Sequence, residues 1–271
     1  LGAYLFSGCL NLTEVFLPVD LIEISDSMFY GCEKLETISL PNNLERIGEN
    51  AFNNCSSLKE VVIPATVTSI GASCFEDCIS LTKIILPDSI TEIPENAFYH
   101  CDGLAEINIP SAAISIGKAA FGYCRSLTSM TCGELITLID ERAFTFCENL
   151  KEIILPESLL TIGEEAFYCC RSLNITELPP ALTTLGIEIF NGCYDIKELH
   201  IPASVTTFND VKSYDEISYY FYGDVPEVWG EQSWSWNEDA VIYYIEGKKG
   251  WTTPTWTDPN GHVYPAYPFE P

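Results

Sequence analysis

Apolar residues recur along this chain with a period of 23, far longer than the 2 of a strand or the 3.6 of a helix. Glu49 to Gly71 reads ENAFNNCSSLKEVVIPATVTSIG, and Glu141 to Gly163 reads ERAFTFCENLKEIILPESLLTIG. Phenylalanine stands at Phe6, Phe29, Phe52, Phe75, Phe98, Phe121, Phe144, Phe167 and Phe190. Three places after each comes Cys9, Cys32, Cys55, Cys78, Cys101, Cys124, Cys147, Cys170 and Cys193, without one insertion. Three further on comes a leucine, as at Leu58, Leu81 and Leu104, with Ile196 in the last unit. Proline follows at the strand end in every unit except one, where Gly133 stands.

Each segment of the unit has its own physical reading. The L-x-x-I-x-L stretch alternates, as Val61 and Ile63 do, and predicts a short strand. Proline ends it, because it cannot donate to a ladder. L-x-x-I-G predicts a second short extended piece closed by a glycine turn. E-x-A-F-x-x-C has helical spacing over barely two turns and predicts a short helical or 3-10 segment. One unit cannot bury its own apolar side, whereas stacked units cover one another. The expectation is an α/β solenoid of 23-residue coils over residues 1–209, with a parallel sheet and short second strands. The repeating Phe52, Cys55, Leu58, Phe75, Cys78, Leu81, Phe98, Cys101 and Leu104 form its core. Met130, Cys132 and Gly133, where Ile, Leu and Pro are usual, predict a local irregularity and not a break.

A period of 23 falls in the leucine-rich range of about 20–29. IGENAFNNCSSLKEVVIP, IGEEAFYCCRSLNITELP and IDERAFTFCENLKEIILP resemble the BspA-like, treponemal-type leucine-rich repeats of bacterial surface proteins. The resemblance covers residues 1 to about 209 and implies a leucine-rich-repeat solenoid. It also implies a secreted or surface-anchored bacterial protein that binds proteins of a host or a neighbouring cell, as adhesins of this type do. In that setting the sequons at Asn11, Asn54 and Asn174 are incidental.

The balance of 13 basic against 39 acidic residues, a net charge of −26, repels phosphate backbones and anionic lipid heads. Nucleic acid is excluded as a partner on that ground, while cationic partners, calcium and neutral glycans stay open. No apolar run reaches the roughly 18 residues needed to span a bilayer. LGAYLFSGCL enters the repeat mid-phrase without a basic region or cleavage site, so a mature piece of a longer chain is expected.

Twelve cysteines invite a disulfide or metal reading. One thiol per coil at fixed phase makes a row, which cannot converge tetrahedrally on zinc. In-register Cβ vectors run parallel, which disfavours bridges between coils without excluding them. Buried free thiols, packed as small hydrophobes, are the expectation. Cys74 and Cys132 replace apolar residues and read as core; Cys169 points outward and is the candidate reactive thiol.

No catalytic or cofactor motif is found, so no enzyme activity and no cofactor or metal are expected. His100 and His200 occupy variable, solvated positions, and His262 follows the turn TDPNG, which lacks the ligands of a calcium loop. A catalytic domain elsewhere in a longer reading frame stays open.

Specificity in a solenoid resides in its variable positions. Two strand columns face outward: Glu14, Thr37, Glu60, Lys83, Glu106, Ser129, Glu152, Ile175, Glu198, and Phe16, Ser39, Val62, Ile85, Asn108, Thr131, Ile154, Glu177, His200. Phe16, Val62, Ile85 and Ile154 read either as anchors with a polar rim or as β-branched residues suited to strands. The candidate partner-binding residues are Glu60, Val62, Lys83, Ile85, Glu106, Asn108, Glu152 and Ile154, on a monomer that takes a protein ligand.

Residues 210–271 hold all five tryptophans. They read as an atypical C-terminal cap in which VIYYIEG adds strand to the sheet and GKKGW packs an indole. The rival reading is a glycan platform of flat aromatics such as Trp234, Trp236 and Tyr244.

Overall fold

The computed structural model describes residues 1–209, 217–230 and 240–271. Its coils are joined by three ladders of backbone hydrogen bonds. The first runs through Glu60–Val62, Lys83–Ile85 and Glu106–Ile107, then Ser129–Thr131 with Glu152–Ile154, then Glu198–Ile201. Pairing is parallel and advances by one repeat per step, as in Glu60↔Lys83↔Glu106. Buried positions of these strands alternate with exposed ones, so Val61, Ile84 and Ile153 point inward and are buried.

The second ladder begins with Glu23–Ile24, Arg46–Ile47 and Ser69–Ile70 and resumes at Ser115–Ile116, continuing to Val228–Trp229. The residue at the glycine position of a coil donates its N–H back one coil, as Gly71 does to Ile47, Gly117 to Ile93 and Asp140 to Ile116. Pro94 occupies that place in the intervening coil and has no N–H to give. The ladder is interrupted there between Ile70 and Ile93 and resumes with a single bridge, Ile93↔Ile116.

The third ladder corrects the expectation of short helical turns: the described residues contain no helix. Ser27, Phe29 and Gly31 donate to the carbonyls of Glu49, Ala51 and Asn53 at 2.8–2.9 Å, and Asn50, Phe52 and Asn54 repeat this onto Ala72, Cys74 and Glu76. A helix would turn those N–H groups along its own axis, away from the next coil. The chain instead makes tight turns around two positive-φ residues per coil. One row runs Ser27, Asn50, Ser73, Asn96, Ala119, Arg142, Glu165, Glu188; the other Gly31, Asn54, Asp77, His100, Tyr123, Phe146, Cys169, Gly192.

Inside, the phenylalanines stack from Phe6 to Phe190 with centroids 5.2–5.7 Å apart and planes within 2–11°. Phe52, Cys55, Leu58, Phe75, Cys78, Leu81, Phe98, Cys101 and Leu104 are all fully buried. Each row thiol from Cys32 to Cys193 donates to the carbonyl of a phenylalanine 26 residues earlier, at 3.1–3.2 Å. Every cysteine is free. The row is therefore a column of donors and not simply of small hydrophobes.

Beyond Ile201 the first sheet continues with Ser218–Phe221, Val241–Ile245 and Val263–Phe269, at register offsets of 20, 23 and 24 residues. Thr255–Thr257 pairs antiparallel on the outside. The indole of Trp251 is buried, donates to the Gly223 carbonyl at 3.1 Å and stacks on Tyr244.

Candidate functional site

The alternation that buries Val61 and Ile84 turns Glu60, Val62, Lys83 and Ile85 to solvent on adjacent strands. Glu106 and Asn108 follow one coil on, and Glu152 and Ile154 lie further along the row. All eight are exposed. Phe16, Val62, Ile85 and Ile154 expose 87%, 67%, 47% and 52% of their surface, unusual for large apolar groups on one continuous face.

Two members of the outward columns behave differently. Ile175 is buried, because Thr176 stands where the other units place their inward apolar residue. Side chains alternate with a period of two, so moving the apolar residue by one place moves it to the other face. The coil resolves the conflict by giving up its strand, and only the bridge Glu177↔His200 remains. Asn108 faces outward, but its amide is engaged: Oδ1 accepts from the Leu86 N–H at 3.1 Å and Nδ2 donates to the Leu86 carbonyl at 2.9 Å. The side chain thus substitutes for backbone pairing.

Next to Asn108 the first ladder opens. Glu106–Ile107 pairs with Lys83–Ile85 on one side and, among the described residues, with no strand on the side of Ser129–Thr131. Gly133 follows, in place of the usual proline. A groove of 640 Å³ occupies this opening, lined by the carboxylates of Asp88, Glu106 and Glu134 and by Ile107, Met130 and Leu135; none of its lining residues is basic.

Several basic residues elsewhere are paired between coils. Lys59 bonds Glu36 at 2.7 Å, Lys118 bonds Glu141 at 2.8 Å, and Arg125 bonds Asp102 at 2.9 Å. These exposed pairs add little stability, but they leave an acidic surplus over the rest of the surface.

The histidines are more engaged than solvated variable positions would be. His100 Nδ1 lies 3.1 Å from Asp77 and packs between Tyr99 and Tyr123. His200 Nδ1 lies 2.9 Å from the Tyr222 hydroxyl and 3.4 Å from Glu177. Asp258 Oδ1 accepts from the N–H groups of Asn260 and His262, which makes TDPNG a turn. Among the described residues no group of three His, Cys, Asp or Glu is placed to hold a metal ion. Cys74 and Cys132 are buried and Cys169 is half-exposed, its thiol pushed up by burial.

Trp234 and Trp236 lie outside the described residues. Tyr244 is buried, because it takes an inward position on Val241–Ile245, so it offers no face to a sugar. Its neighbours continue the second outward column: His200↔Tyr220↔Tyr243↔Tyr267. The rings of His200, Tyr220 and Tyr243 stack on one another at 4.7 Å, so their faces are mutually covered and their edges are presented. Burial first, then Tyr243 and Glu198, push the Tyr220 hydroxyl up. The added strand in VIYYIEG was expected, but the place of Tyr220 and Tyr243 in the outward column was hidden because the offset shrinks from 23 to 20 just before Tyr220.

Residues 1–105 and 91–216 match the family described as BspA type leucine rich repeat region, in six copies. A leucine-rich repeat protein of Bacteroides ovatus superposes with a TM-score of 0.76, covering 92% of this chain and 73% of its own at 24% identity, a likeness of fold. The leucine-rich repeat protein of T. pallidum gives 0.55, with 68% of this chain and 77% of that one covered at 28% identity. No curated protein matches the chain.

Proposed function

The chain belongs to the BspA-type leucine-rich repeat family, and we propose that it is a non-enzymatic binding protein that takes its partner on the outward face of the first strand row. The coarser part follows from the family, whose repeats form scaffolds for protein interaction. The finer part is a protein ligand on a host or neighbouring cell, bound by a monomer that is secreted or displayed at a bacterial surface. Residues 210–271 serve in this reading to close the array.

One observation carries the choice of face. Val62 and Ile85 stand exposed on paired neighbouring strands, with Ile154 exposed further along the same row, and Glu60, Glu106 and Glu152 are exposed beside them. That is an apolar core with a polar rim on strands that the ladders hold in place.

The test is capture of surface-exposed host proteins by the whole chain, repeated with Val62→Glu and Ile85→Glu. These side chains are exposed, so the melting temperature stays unchanged while capture is lost. Capture that survives both changes contradicts the choice of face. A glycan array probed in parallel decides the rival reading, which now rests on Trp234 and Trp236; a signal lost on changing both to alanine would establish it.

A further inference from the structure

The outward face carries a charge pattern with a period of its own. Glu14, Glu60, Glu106, Glu152 and Glu198 fall on every second coil of one column, and all five are exposed. Thr37, Lys83 and Ser129 fill the alternate places, and Ile175 is turned inward. Coils paired as parallel strands lie about 4.8 Å apart, so Glu60 and Glu106, joined through Lys83–Ile85, lie about 9.6 Å apart, and the column continues with a glutamate on every second coil beyond the opening. Two residues along each strand, the neighbouring column offers Phe16, Val62, Ile85 and Ile154. Midway along, the groove at Asp88, Glu106 and Glu134 adds carboxylates with no basic residue in its lining.

A ligand complementary to this face is cationic at a repeat of about 9.6 Å and apolar along an adjacent edge. Regular polypeptide conformations differ sharply in how they meet that repeat. In a β-strand, residues on one face recur at about 6.7 or 13 Å, and every third residue faces the other way. In an α-helix the seventh residue returns at about 10.5 Å, which drifts by almost 4 Å over four steps. A polyproline II helix has three residues per turn at 3.1 Å, so one edge repeats every 9.3 Å or so and drifts by about 1 Å over the same distance.

We propose that this face recognises a basic segment in the polyproline II conformation, with Lys or Arg at every third position and small apolar residues or proline on the adjoining edge. The basic edge runs along the glutamate column, one side chain entering the groove at Glu106, and the apolar edge lies on Val62, Ile85 and Ile154. Lys83 is the one cation of the column and opposes such a ligand. This inference rests on the choice of face made above.

The test uses the whole chain and two synthetic peptides of identical composition, one of Lys-Pro-Ala triplets and one with its lysines moved into a block. Titration at low salt is expected to show the triplet peptide binding about tenfold more tightly, with the advantage falling as salt screens the charges. Glu60→Gln, Glu106→Gln and Glu152→Gln together abolish the difference, and Lys83→Glu increases the affinity for the triplet peptide. Equal affinity for both peptides, or affinity indifferent to the glutamine changes, overturns the proposal. Capture of host proteins that depends on Val62 and Ile85 while the peptides show no preference would refute this inference alone and leave the face standing.

Discussion

The thiol of Cys78 donates to the carbonyl oxygen of Phe52, 3.2 Å away and one coil back. The same carbonyl already accepts from the N–H of Cys55 at 3.1 Å. One oxygen therefore links a turn within its own coil to the side chain of the next, and the arrangement repeats up the array. Cys78→Ala removes the donor and leaves a small void in a fully buried column. The expected cost is about 1–2 kcal/mol, read from the urea midpoint. Cost near zero would mean that the thiols contribute neither bond nor packing.

The buried thiols also predict how the fold responds to alkali. Burial pushes Cys32 up to about 11 and Cys132 to about 12 from an ordinary 9.0, and pushes Cys55, Cys74, Cys78, Cys101, Cys124 and Cys170 higher still. A thiol raised in the folded state keeps its proton where the unfolded chain has lost it. Its stabilisation is thus complete below pH 9 and is lost as pH rises toward the folded value, by about 1.4 kcal/mol per pH unit for each such thiol. With many thiols acting together, the melting temperature, measured under reductant, should be level up to about pH 8 and fall steeply from pH 9 upward.

The two positive-φ positions of each coil give a third test. Gly31 has φ 69, and an added Cβ would meet nothing closer than 3.9 Å. Gly31→Ala isolates backbone strain from crowding and should cost about 1 kcal/mol. Ser73, at φ 54, already bears such strain, so Ser73→Gly should be neutral or stabilising by up to about 1 kcal/mol. Denaturant titration of the pair checks both signs.

Those positions show where sequence reasoning reached its limit. The columns of Phe52, Cys55 and Leu58 were legible because one unbroken period of 23 fixes which side chains meet. So was the outward placement of Val62, Ile85 and Ile154, since strand alternation decides it. The turn conformation was not legible: Ser27, Arg142 and Phe146 are residue types that carry no signal for positive φ. Their geometry is imposed by N–H groups reaching the next coil, a relationship between coils and not within one. The burial of Ile175 was legible in Thr176 beside it, which breaks the alternation. The Asn108 amide, folded back onto Leu86, had no sequence signal at all.

The most direct test of identical stacking is alkylation of the native protein in the absence of reductant, with each of the twelve cysteines quantified by mass spectrometry. Cys9 is exposed and Cys169 half-exposed, so these two should react in the folded state and all twelve after unfolding in denaturant. Rapid modification of Cys55, Cys78, Cys101 or Cys124 in the folded protein, or bridges among them, would contradict a solenoid that seals its thiols between coils.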